Sequence, residues 1–264
     1  GGDPESEYAR LLNILTSVHQ QRDRLFWPAM LAEAELLVER GNRVEGAAAL
    51  EQVLTLNPRS VRAWSLLGQL LVDSFDLARA SGVAERIDSI TSSAARDADP
   101  DAAIVTSIEA ALLRARRWIR QNDLQFARDA IDPAVRVAPS APRVLAALAG
   151  VEALSYDQQR IDDAVREYET VADGGALAHA AVGRTLSERR QYALASSYLG
   201  EAVSRLPNWA DPWTELGLLE LQAGRISEGL EALNRALELD PFHMRASNTR
   251  VRARELLSYE VIET

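Results

Sequence analysis

The chain has 264 residues, 47% of them hydrophobic, with 29 basic side chains against 39 acidic ones. It contains no Cys, which excludes disulfides, thiolate catalysis and Cys-based zinc sites and suits either a reducing or an oxidising compartment. A net charge of −10 disfavours general nucleic-acid binding, and no apolar run approaches the roughly 18 residues that span a bilayer.

Strand-like alternation is absent, and Ala, Leu, Glu and Arg recur at spacings of three and four, so the whole chain reads as helical. The opening, GGDPESEYAR, reads as a processed or engineered start. A bacterial lipoprotein beginning just after its lipidated Cys is one specific source, giving a periplasmic, lipid-anchored protein; a tag remnant on a cytoplasmic protein explains the same residues. Residues 5–22 then form one predicted helix.

From residue 27 the prolines mark a period. Pro207 and Pro241 are 34 residues apart, Pro139 and Pro207 are 68 apart, and Pro58 and Pro139 are 81 apart, which is twice 34 plus 13. On this ruler the units are 27–60 (Met30, Ala34, Leu37, Leu50, Val53, Pro58), 61–94 (Trp64, Leu67, Gly68, Ala80, Ala84), 108–141 (Trp118, Ala127, Ile131, Ala134, Pro139), 142–175, 176–209 (Gly183, Ala195, Leu199, Ala202, Pro207) and 210–243 (Trp213, Leu216, Gly217, Gly229, Leu233, Ala236, Pro241). The insertion maps to TSSAARDADPD, residues 91–101, read as a polar loop between the second and third units or a slight break between sub-solenoids. Unit 142–175 fits least: its turn, SYDQQRID, reads as enlarged, with Ala164 and Tyr168 displaced by about one helical turn. Glu33 and Arg114 stand where an apolar residue is expected. A last helix is predicted over 242–258.

A 34-residue period with a large residue at positions 4, 7, 11 and 24, a small one at 8, 20 and 27, and Pro at 32 resembles the tetratricopeptide repeat. The resemblance covers nearly the whole chain. It implies an all-α, right-handed α-solenoid of about six two-helix repeats, with helices 5–22 and 242–258 closing its ends. Within each repeat, small residues let helices A and B approach closely, and Gly41 and Gly224 end their A helices.

In such repeats, helix A positions 2, 5, 9, 12 and 13 face a concave groove. Here Arg62 and Arg143 hold position 2, Arg116, Arg184 and Gln69 hold position 9, and Arg120 holds position 13. Every basic residue is Arg, so such a wall offers rigid guanidinium forks that grip carboxylates bidentately. One reading is therefore a groove for an acidic peptide or partner helix, over an apolar floor that includes Leu112, Ile119, Leu218 and Leu221. The other is that these arginines pair with neighbours such as Glu109 and Glu188. The carboxylate clamp of peptide-binding relatives is missing: there is no Lys, and position 5 carries Leu31, Ser65, Leu112, Ala146, Ala180 and Thr214.

Catalysis finds little support. His19, His179 and His243 share no metal-ligand spacing, and Gly174–Gly175 is a lone turn rather than a phosphate loop. No cofactor or metal is expected. Trp27 and Trp209 are candidate exposed anchors. The ending LLSYEVIET turns β-branched and resembles the connector that, in one group of bacterial tetratricopeptide proteins, leads to a metallopeptidase-like domain. The expected function is a non-catalytic protein-interaction scaffold. The alternatives are the repeat region of a multidomain bacterial hydrolase, and self-association through an uncapped end.

Overall fold

The computed structural model describes residues 4–96, 99–172 and 174–260. Among them every regular element is helical: α1 (Pro4–Ser17), α2 (Trp27–Glu39), α3 (Arg43–Leu56), α4 (Val61–Asp73), α5 (Leu77–Arg96), α6 (Pro100–Gln121), α7 (Leu124–Val137), α8 (Pro142–Glu152), α9 (Gln158–Glu169), α10 (Ala176–Glu188), α11 (Tyr192–Arg205), α12 (Ala210–Gln222), α13 (Ile226–Leu239) and α14 (Met244–Glu260). A π-helical stretch, Val18–Arg22, continues α1, and a 3₁₀ stretch, Ala153–Ser155, continues α8. None of these helices is long and apolar enough to cross a membrane.

Helices α2 to α13 pair as six hairpins stacked into a solenoid. The second helix of each hairpin begins at residue 43, 77, 124, 158, 192 or 226, a constant step broken once between α5 and α7. Every hairpin turn places one residue in the left-handed region: Gly41, Phe75, Asn122, Tyr156, Arg190 and Gly224, at φ between 54° and 80°. Such a residue reverses the chain and lets the next amide satisfy a stranded helix carbonyl, as Asn42 N–H does at Leu37 O (2.8 Å). Glycine adopts this conformation without strain; for Phe75, Tyr156 and Arg190 it costs on the order of 1 kcal/mol each. Asp76, Asp123 and Asp157 then cap the next helix, accepting from Arg79 N (3.2 Å), Phe126 N (3.1 Å) and Gln159 N (3.0 Å).

Small residues set how closely paired helices lie. A Cβ added at Gly217 would stand 2.7 Å from Leu233 Cγ and 3.0 Å from Gly229 O, and one at Gly183 would stand 2.6 Å from Leu199 Cγ. Position 4 links successive repeats. Trp64 Nε1 donates to Pro58 O, and Trp213 Nε1 to Pro207 O, both at 3.0 Å. Thus the Trp of one unit satisfies the carbonyl freed where Pro ends the unit before it.

Two expectations are corrected. Residues 91–96 and 100–101 are helical, not loop: α5 runs through Arg96 and α6 begins at Pro100, so the insertion lengthens two helices, with residues 97 and 98 outside the described residues. Asp99 and Pro100, placed within that loop, start a helix instead. Asp99 Oδ1 accepts from Ala102 N (3.0 Å), and Pro at the first helical position needs no amide partner. Nor is the turn after α8 enlarged. Gln158 begins α9 on the common step, and Ile161 and Tyr168, both buried, occupy the places where small residues were sought. The hairpin departs in residue size, not in length.

The two unexpected charges are accommodated by partners. Glu33 accepts from Thr16 Oγ1 (3.1 Å) and contacts His19 Nε2, tying α1 to α2, while Arg114 pairs with Asp88 of α5. Glu220, where the pattern calls for an aromatic, is buried between Ser196 Oγ (2.6 Å) and Arg225.

The solenoid curls until its end meets its beginning. Met244 N at the head of α14 donates to Arg40 O at the tail of α2 (2.8 Å), and Arg40 pairs with Asp240. Tyr8 of α1 stacks on Phe242 with ring centroids 5.1 Å apart. A Cβ at Gly41 would stand 3.3 Å from Arg245 N, a tight contact, and its φ of 77° further favours glycine there. Helix α14 continues through Glu260; the terminal stretches 1–3 and 261–264 lie outside the described residues.

Candidate functional site

The A helices α4, α6, α8 and α10 lie side by side along the inner wall. Two of them end on a carboxylate at the same repeat position: Asp73 ends α4 and Glu188 ends α10. A negative charge at a helix C-terminus opposes the helix dipole, so each requires cations. Asp73 Oδ1 accepts from Arg184 Nη2 (2.7 Å) and Arg116 Nη2 (3.3 Å), and its Oδ2 accepts from Arg43 Nη2 (3.3 Å). Glu188 takes both terminal nitrogens of Arg116, one at 2.9 Å, and pairs with Arg120 Nη1 at 3.2 Å. Arg116 therefore bridges two carboxylates that lie more than a hundred residues apart in sequence. Farther round the ring, Arg245 of α14 grips Glu215 of α12 bidentately.

The electrostatics follow from this crowding. Burial raises the Asp73 pKa, but Arg184, Arg116 and Arg43 outweigh it and hold the carboxyl below its ordinary value. Burial likewise opposes ionisation of Glu188, and the hydrogen bonds and charge of Arg116, with Arg184 and Arg120, again win. Burial lowers the Arg43 pKa and the nearby Arg245 and Arg184 lower it further, with Asp73 opposing them. Arg184 shifts the other way: burial is outweighed by Asp73, Glu215 and Glu188, which raise its pKa.

These groups surround a cavity of about 470 Å³. Five arginines (Arg43, Arg120, Arg184, Arg190, Arg245) and three carboxylates (Asp73, Glu188, Glu215) line it, so it is locally positive in an acidic chain. Arg116 adds a further positive charge behind the lining. Arg190 sits exposed on its hairpin turn, and among the described residues its guanidinium has no ion-pair partner. Arg120 Nε is buried and meets no acceptor among them, and its guanidinium lies 3.8 Å above the Phe75 ring.

Of the six groove residues named from sequence, the structure gathers Arg116, Arg120 and Arg184 into this one network. Arg62 instead pairs with Glu35 (2.6 Å) and Arg143 with Glu109 (2.6 Å), each half-exposed, and Gln69 is exposed. The expected pairs with Glu109 and Glu188 are thus present. Missed in sequence were Asp73, Arg43, Arg190, Glu215 and Arg245. Asp73 shares position 13 with Arg120 and Glu188, which was a usable clue; Arg43 and Arg245 lie outside the A helices of the repeats, where the groove was sought. Trp27 and Trp209 are half-buried.

The histidines stay apart. His243 is buried, with Nε2 at 2.9 Å from Asp211 Oδ1 and Nδ1 accepting from Ala246 N. His179 is buried between α9 and α11, and neither ring nitrogen has a hydrogen-bond partner among the described residues. No group of three or more His, Asp or Glu among the described residues could hold a metal ion.

Among curated proteins, none matches the chain. Solved structures show the fold. Cut9 in the APC/C Cut9–Hcn1 hetero-tetramer matches with a TM-score of 0.53 at 16% identity, covering 95% of this chain and 47% of that one. Yeast Tom70 gives 0.49 at 17% identity, covering 94% of this chain and 52% of that one. YrrB, described as a TPR protein with an unusual peptide-binding site, gives 0.36 at 14% identity, covering 89% and 97%. The chain thus spans about half the length of the first of these. The family model described as tetratricopeptide repeat matches residues 31–103, 181–243 and 214–255, more than half of the sequence, and the chain belongs to the tetratricopeptide-repeat family.

Proposed function

We propose that the chain is a non-catalytic interaction scaffold that seats an acidic segment of a partner protein at the mouth of the arginine cavity. The repeat scaffold is of a type typical of protein–protein contacts. The observation that carries the reading is Arg190: an exposed guanidinium without an ion-pair partner among the described residues, held on a strained turn beside a surplus of positive charge. Arg116 and Arg184 supply the field but are held by Asp73 and Glu188, so their part is to keep the site positive. Arg62, Arg143 and Gln69 lie outside the cavity lining and are the contacts a longer segment makes by displacing Glu35 and Glu109.

The test is fluorescence anisotropy with a labelled Asp/Glu-rich peptide at low ionic strength. Binding is expected to weaken as salt rises, because an exposed charge contact is screened. Arg190→Glu is expected to weaken it by about tenfold or more, the worth of one charge-assisted contact. Affinity unchanged in Arg190→Glu rejects the assignment.

A further inference from the structure

We infer that the group this cavity is built to receive is a phosphoryl group, carried by the partner segment; the inference rests on the scaffold reading only for how that group arrives. Three features of the cavity separate a phosphoryl group from a run of carboxylates.

The first is shape. A volume of about 470 Å³ is in the range of a compact ligand pocket. The second is the direction of the donors. The lining guanidiniums come from α3, α6, α10, the turn after α10, and α14, so they reach the cavity from several sides of the ring, each but Arg190 also gripping one of the protein's own carboxylates. A carboxylate presents two oxygens in one plane. A phosphoryl group presents three, spread around an axis, and accepts charge-assisted bonds from several directions at once.

The third is charge. Five lining guanidiniums against three carboxylates leave a surplus of two, and Arg116 behind them raises it to three. One carboxylate leaves most of that surplus standing; a phosphoryl group brings about −1.5 to −2 at neutral pH and offsets most of it. The protein's own carboxylates already show how such an anion is held, since Asp73 gathers three guanidiniums around one acidic group. The donors left over, Arg190 and the buried Arg120 Nε, belong to the same cavity wall, and the Tyr192 and Ser187 hydroxyls are further donors there.

The experiment is isothermal titration calorimetry on the full chain in phosphate-free, low-salt buffer with three ligands: inorganic pyrophosphate, an acidic peptide carrying one phosphoserine, and the same peptide with Glu at that position. Pyrophosphate and the phosphopeptide are expected to bind one to one and to compete, with the Glu peptide weaker by about tenfold or more. Arg190→Ala is expected to weaken both phosphoryl ligands by about tenfold, while Arg136→Ala, an exposed arginine of α7 paired with Asp132, changes neither. Because Arg190 is exposed, a circular-dichroism melt matching the unsubstituted chain separates lost binding from lost folding. If the two peptides bind equally and pyrophosphate does not compete, the phosphoryl inference fails while the acidic-segment reading stands. If pyrophosphate binds in an Arg190-dependent way and neither peptide does, the cavity takes a free phosphorylated molecule: the phosphoryl inference holds and the partner reading fails. Equal losses in Arg190→Ala and Arg136→Ala, or no binding by any of the three, overturn the site.

Discussion

The hairpin interiors and the inner face of the ring are held by different forces. Inside a hairpin, helices packed along their length touch through Gly, Ala and Leu, as where Gly217 meets Leu233 and Gly229. Across the inner face, elements remote in sequence are joined by charge, as where Asp73 collects Arg43, Arg116 and Arg184. Packing is short-ranged and indifferent to salt; ion pairs reach farther, answer to salt and pH, and cost desolvation. The repeats therefore stand on their cores, whereas the closed form of the ring depends on its electrostatics.

The largest expected effect lies on the inner face. Asp73→Asn strips the shared carboxylate from three guanidiniums. Removing one partner of a buried pair costs about 3–5 kcal/mol, and because Asp73 keeps some solvent contact the loss is expected near the bottom of that range. Urea unfolding should show it at low salt and a smaller loss at high salt. A salt-independent loss would place Asp73 with the packing residues instead. Next comes the hairpin interior: Gly217→Leu drives a side chain into Leu233 and should cost roughly 1–3 kcal/mol, equally at low and high salt. A salt-dependent loss there would erase the distinction.

Acid should separate the two regions in sequence. Burial holds His179, in the α10–α11 hairpin, below its ordinary pKa, so it is neutral when folded. The unfolded chain then binds the extra proton, and stability falls as pH drops below about 6.5. His179→Leu should flatten that limb in a pH series of thermal melts. Asp73 and Glu188 have depressed values, so their contribution is complete above about 4 and is lost only as pH falls farther, through their folded values. A single transition in which both limbs coincide would contradict the assignment. The smallest effect belongs to the turns. Tyr156→Gly removes left-handed strain at the expense of a more flexible unfolded chain, and a net gain of about 0.5 kcal/mol is expected from denaturant midpoints.

The same contrast decides what the sequence disclosed. A hairpin is written locally: Trp64 and Pro58, or Gly217 and Gly229, fall at fixed intervals because each contact repeats. That is why the all-helical solenoid was legible. The failures were local ambiguities with physical causes. Asp-Pro ends one helix in Asp240–Pro241 and begins another in Asp99–Pro100, and composition alone does not distinguish them. Small residues marked most hairpins, so Ile161 and Tyr168 looked like a shifted register when they were larger residues in the same places. The inner face was half legible. Periodicity aimed Arg116, Arg120 and Arg184 inward, but that Arg184 would meet Asp73 depends on how far the ring closes, and closure is the accumulated curvature of many repeats.

Closure is the central claim, and a distance measured across it tests it most directly. The chain has no Cys, so cysteines placed at exposed Val44 on α3 and Val251 on α14 would be the sole spin-label sites. Pulsed electron resonance should give one short, narrow distance distribution at low salt, and Arg40→Ala, which removes the pair with Asp240, should lengthen or broaden it. A long, broad distribution in the otherwise unsubstituted chain, unmoved by Arg40→Ala, would describe an open rod and contradict the account.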